Sequence, residues 1–204
     1  MLRKTIIAST IVLGLQGCSA NDEVTLENEL QQNYLISDFR LSSTYKYWEI
    51  RINNGSRQDP TDYEVRSRFD VNIFRTLSND TVTHLENTRS EYGFDAECLP
   101  GYCPIYAVAI DDDNDTHILD SKPLLKSFFG QIDTEAELYF WVKYGAGRES
   151  GLPIQYETQG NGYDVIIRWD SLCGVRGTRL IHVSTDGETQ PIKDLTEESY
   201  EGCV

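Results

Sequence analysis

The sequence lacks an apolar run long enough to cross a bilayer. A spanning helix needs about twenty mainly apolar residues, and the stretch from Thr5 to Leu15 has eleven. It is also poor in cations, with 18 Lys and Arg against 33 Asp and Glu and a formal net charge of −15. A surface of that sign is repelled by nucleic acid and by anionic head groups. Cations, basic proteins and neutral sugars are the partners it permits, and no nucleic acid is expected. The three histidines, His84, His117 and His182, are scattered and match no metal-ligand spacing. No Gly-x-Ser-x-Gly occurs, so the nucleophile elbow has no counterpart. No internal repeat, low-complexity tract or linker marks a domain boundary. Aromatics, by contrast, are plentiful: 12 Tyr, 7 Phe and 3 Trp can build a core, which argues against disorder.

The first residues carry the parts of an export signal. Arg3-Lys4 is a basic head, Thr5–Leu15 is an apolar stretch, and Gly17 is a small residue before a cut site. After Cys18 the chain turns polar at once, through Ser19-Ala20-Asn21-Asp22-Glu23. Residues 1–17 thus read as a signal peptide and 18–25 as a tether. Loss of Arg3 and Lys4 makes the mature chain more acidic by two charges.

Leu15-Gln16-Gly17-Cys18 resembles the lipobox of bacterial lipoproteins. Leu15, Gly17 and Cys18 match the pattern, and Gln16 departs from its small third-from-last residue. The resemblance implies cleavage before Cys18, a diacylglyceryl thioether on its sulfur and an acyl chain such as palmitate on its new amine. One acyl chain anchors a protein only marginally, with a binding constant of about 10⁴ M⁻¹, and stable anchoring takes more than one. Ser19 after the cysteine resembles the outer-membrane sorting pattern. The expected partner through Cys18 is therefore the membrane, with the body in the periplasm or on the cell surface.

Four further cysteines, Cys98, Cys103, Cys173 and Cys203, form an even set. In an exported chain this reads as disulfides, with three possible connectivities. Pro100-Gly101 favours a turn between Cys98 and Cys103, which favours, among the three, the connectivity in which that pair closes on itself and Cys173 pins Cys203. On the loop-entropy account the longer bridge contributes about 3–4 kcal/mol and the shorter about 2 kcal/mol. A four-thiolate zinc site would need a second closely spaced pair, which is missing.

The body, residues 26–204, reads as a single α+β domain. Its expected make-up is an antiparallel sheet of five to seven strands, an N-terminal helix and one or two helices near 122–144. Leu26, Leu30 and Tyr34 recur every four residues and predict the first helix over 23–36. Trp48, Ile50 and Ile52 alternate with Glu49 and Arg51, a strand pattern. Val65, Phe69, Val71 and Ile73 suggest the returning strand, and 81–85 a third. The polar stretch 86–97 reads as a loop. Residues 104–110 form the clearest buried strand, partnered by 116–119. Pro123 opens a helix over 122–129 that Gly130 ends, and Thr134 with Glu137 has capping-box spacing before a nearly all-apolar run. Gly160-Asn161-Gly162 marks a hairpin between 154–158 and 163–169. Residues 178–184 form another strand, and the acidic tail from Lys193 would be loose without Cys203.

A softer resemblance covers about residues 104–204. The segments 130–137, 162–165 and 182–187, with Arg179 and a terminal cysteine, are similar to a group of exported proteobacterial proteins with no assigned activity. That likeness implies export and nothing about chemistry.

No catalytic residue, metal ligand or cofactor is expected. Asp111-Asp112-Asp113-Asn114-Asp115 spaces oxygens like a calcium loop, but the EF-hand pattern wants Gly at 116 and Glu at 122, where Thr116 and Lys122 stand. A solvated turn is the plainer reading. Tyr45, Tyr47 and Trp48, and Tyr139, Trp141 and Tyr144, could bind a glycan or an envelope protein if exposed, although core packing explains such clusters more simply. The sequence thus points to a lipid-anchored cell-envelope protein, non-enzymatic and binding another envelope component. The alternative is a periplasmic hydrolase with an acidic site of unfamiliar pattern.

Overall fold

The computed structural model describes residues 24–31, 34–42, 45–53, 62–69, 71–97, 102–147, 151–170 and 174–199. Among them β5 (Cys103–Asp111) is the spine of the first sheet. Consecutive apolar residues suit a strand covered on both faces, and β5 is. Ile105, Ala107 and Ala109 face the main core, while Tyr106, Val108 and Ile110 face a second cluster with Tyr47 and Leu85. β5 pairs with β2 (Tyr45–Asn53), and β2 with β3 (Tyr63–Phe69). The other edge of β5 is shared by β4 (Asp95–Glu97) and β6 (Thr116–Leu119). Every pairing is antiparallel.

The second sheet runs β1-β7-β8-β9-β10, also antiparallel throughout. Its strands are β1 (Asn28–Glu29), β7 (Leu152–Gln159), β8 (Gly162–Asp170), β9 (Val175–Ser184) and β10 (Thr189–Ser199). Gly160 turns the β7–β8 hairpin at φ 58°, where a side chain would be strained. Val165, Ile167, Ile181 and Val183 share the main core with Trp48, Ile50 and Ile52, so one apolar interior joins both sheets. Helices α3 (Lys122–Phe129) and α4 (Glu135–Phe140), with a π-helical turn at Trp141–Gly145, contribute Phe128, Phe129, Leu138, Phe140 and Val142 to it. α3 starts at Ser121 with Pro in its first turn and stops at Gly130, whose φ is 72°. The capping box of α4 is complete, with Thr134 bonded to the Glu137 amide and the Glu137 side chain to the cap amide. These follow the sequence expectations.

The α+β class holds, but several finer expectations are corrected. Among the described residues ten strands form two sheets, where five to seven in one were expected. The N-terminal helix over 23–36 does not form in the described residues. Asn28–Glu29 instead adds a strand to the β7 edge, Leu30 N–H donates to Ile154 O at 3.1 Å, and a 3-10 turn follows at Ile36–Asp38. A helix would leave that β7 edge without its backbone partners. The strand expected at 81–85 is helix α2 (Asn79–Asn87), opened by Ser78, whose hydroxyl accepts from Thr81 N–H at 3.1 Å. Val71 and Ile73, expected on the returning strand, lie in α1 (Val71–Phe74) because β3 ends at Phe69. The loop expected over 86–97 includes the end of α2 and all of β4. The acidic tail, expected to be loose without Cys203, which lies outside the described residues, is in strand through Ser199, paired with β9 despite exposed side chains. Its order comes from ladder hydrogen bonds, which need no apolar pattern.

Candidate functional site

β2 carries a row of polar residues into the interior. Glu49, Arg51 and Asn53 alternate with the core residues and point the other way, where α2 covers them; each is at most 1% exposed. Arg51 Nε donates to Glu49 Oε1 at 2.5 Å. Its Nη1 and Nη2 reach the carbonyls of Thr88 and Leu85 at 2.6 and 3.0 Å, satisfying the end of α2. The other Glu49 oxygen accepts from the Tyr47 hydroxyl and from Arg68 Nε. Burial, with the Glu49 carboxylate beside it, pushes the Tyr47 hydroxyl well above the usual phenol range. Asn53 Nδ2 donates to Ser90 O at 2.5 Å. This network ties the sheet to α2 through charge. Removing one partner of such a buried pair costs about 3–5 kcal/mol, since the other charge stays buried.

Above this network, between the end of α2 and β6, lies a groove of about 350 Å³ lined by His84, Asn87, Thr88, Arg89, Thr116 and Ile118. Arg89 is fixed there: Nη1 donates to Glu86 O and Thr88 O, and its guanidinium lies 3.9 Å from the centre of the Tyr63 ring. Arg51 lies 4.2 Å from the same ring. Two enclosed polar atoms of the groove wall, Arg89 Nε and Thr116 Oγ1, have no hydrogen-bond partner among the described residues. A second hollow, about 280 Å³, sits on the second sheet among Arg168, Arg176, Thr178, Thr196 and Glu198.

Sequence-predicted positions fall as follows. Cys18, Cys98, Cys173 and Cys203 lie outside the described residues, while Cys103, buried at the start of β5, is disulfide-bonded. In the acidic turn, Asp111 Oδ1 accepts the amides of Asp113 and Asp115, and Oδ2 meets His117 Nε2 at 2.8 Å. That carboxylate is the turn's own scaffold. His117 holds it well below the usual carboxylate range, helped by those amides. His182 pairs with Asp164, directly opposite it across β8 and β9, with Nδ1 and Oδ1 2.8 Å apart. His84 joins neither pair and lines the groove. The aromatic clusters are in the interior: Tyr47 and Trp48 are fully buried, Tyr45 half-buried, and Tyr139, Trp141 and Tyr144 at most 9% exposed. None offers the exposed binding face that either cluster was considered for.

Sequence reasoning singles out neither the groove between α2 and β6 nor the buried charges of β2. The charges have a signal in Glu49-x-Arg51, an acid and a base on one face of a strand, followed by a Ser-capped helix. No family model matches the chain, and no curated protein or solved structure matches it.

Proposed function

We propose that this is a lipid-anchored cell-envelope protein whose body is a non-enzymatic binding module. The observation that carries anchoring is the lipobox-like Leu15-Gln16-Gly17-Cys18. The chain that follows is fastened to β7, α4 and α3. Leu26 N–H donates to Gln155 Oε1, Gln31 N–H and the Tyr34 hydroxyl to Glu135, Arg40 N–H to Glu137, and Ser42 N–H to Phe128 O. Phe39 then inserts among Trp48, Phe69, Phe129 and Phe140. A lipid on Cys18 would lie eight residues before Leu26, the first of these fastened positions, which would keep the body close to the bilayer surface. In this proposal the lipid places the module in the outer membrane.

That Cys103 is disulfide-bonded supports the proposed bridge from Cys98 across the Pro100-Gly101 turn, with Cys173 left to pair with Cys203. Membrane fractionation tests the anchoring proposal: Cys18→Ser should shift the protein from the membrane to the soluble fraction. Unchanged membrane retention would refute it.

A further inference from the structure

We infer that the groove between α2 and β6 binds a small ligand through an oxyanion, a phosphate or carboxylate group, with Arg89 as its counter-ion. The inference rests on the binding-module reading and names the ligand chemistry, but it does not depend on the lipid.

Charge is the first ground. Arg40, Arg51, Arg66, Arg68, Arg176 and Arg179 each pair with a carboxylate. Arg75, Arg89 and Arg168 have no such partner among the described residues; Arg75 and Arg168 are exposed to water, and Arg89 is half-buried, in a chain with 33 acids and 18 bases. A partly buried charge without a counter-ion is costly.

Pre-organisation is the second ground. Two carbonyls hold Nη1 and the Tyr63 ring holds the guanidinium plane, which leaves the Nη2 edge of the fork for a ligand. A planar fork held in this way matches the paired oxygens of a carboxylate or phosphate.

The third ground is the wall itself. Thr116 Oγ1 has no partner among the described residues and can donate or accept. Asn87, whose side chain donates to Thr83 O, also lines the groove. Ile118, 37% exposed, supplies apolar surface for the carbon part of the ligand. The strongly acidic surface elsewhere disfavours anions, so a local site of this kind selects for shape as well as charge.

The experiment follows the melting temperature of the full chain, purified in detergent, against rising sodium phosphate and, separately, sodium acetate, with sodium chloride at matched ionic strength as the control. A saturable rise beyond chloride is expected with phosphate, acetate or both, and the stronger of the two identifies the group. Arg89→Gln should weaken that response by roughly ten- to a hundredfold in concentration. Arg176→Gln, in the distant hollow, should leave it unchanged. No rise beyond chloride, or a rise undiminished in Arg89→Gln, would mean an adventitious ion only and overturn the inference. If Arg89→Gln unfolds too readily to be read, Thr116→Val decides: a weakened response supports the site, and an undiminished one overturns it. A silent anion titration with lipid still on Cys18 would leave anchoring standing, and the converse would leave the groove standing.

Discussion

Single side chains hold this fold at points where charge is taken out of water. Glu137 is fully buried and accepts the backbone N–H groups of Arg40, Asp133 and Thr134. Burial pushes its carboxyl up while those amides pull it down, and burial prevails. Glu137→Gln puts an amide where donors converge, and unfolding in denaturant should show a loss of about 1–3 kcal/mol. Asp111 behaves in the opposite sense. Its carboxyl is held low by His117, so its contribution is present above the ordinary carboxylate pKa of about 3.9 and is lost as pH falls through the lowered folded value. Wild type should therefore exceed Asp111→Asn in stability at neutral pH. The two should converge in strong acid, and urea titrations across that range would show a constant gap if the pairing were inert.

At the level of elements, the N-terminal strap is the part most open to test. Phe39 lies at 5.1–6.1 Å, centre to centre, from Trp48, Phe69, Phe129 and Phe140. Truncating a core phenylalanine costs about 3–5 kcal/mol. Phe39→Ala should lose that much and open residues 24–42 to protease before the rest unfolds. Simultaneous cleavage everywhere would show that the strap is not a separable element. The same strap shows where local pattern misleads. Leu26, Leu30 and Tyr34 have helical spacing, yet a vacant β7 edge outcompetes a helix with a single apolar stripe. The elements around 104–145 were legible because composition and caps agree: a doubly buried strand, Pro123, Gly130 and the Thr134–Glu137 box. The buried Glu49–Arg51 pair was not legible, because those residues look like a solvent face in an alternating strand. Only the distant α2, itself taken for a strand, turns that face into an interior.

At the scale of the whole molecule, both sheets of the described residues share one aromatic-rich core with α3 and α4, and most of the acid is left to the surface. Cys103 is bonded at the head of the central strand. Peptide mapping without reductant should recover Cys98 linked to Cys103 and Cys173 linked to Cys203, whereas crossed pairs would contradict the proposed connectivity. Anchoring through the first cysteine is the larger claim, since it fixes where this acidic body works. Mass spectrometry of the protein purified from its own membranes tests it most directly. A chain beginning at Cys18 and carrying diacylglyceryl and acyl groups is the predicted result. An unmodified Cys18, or a chain that still carries residues 1–17, would contradict it.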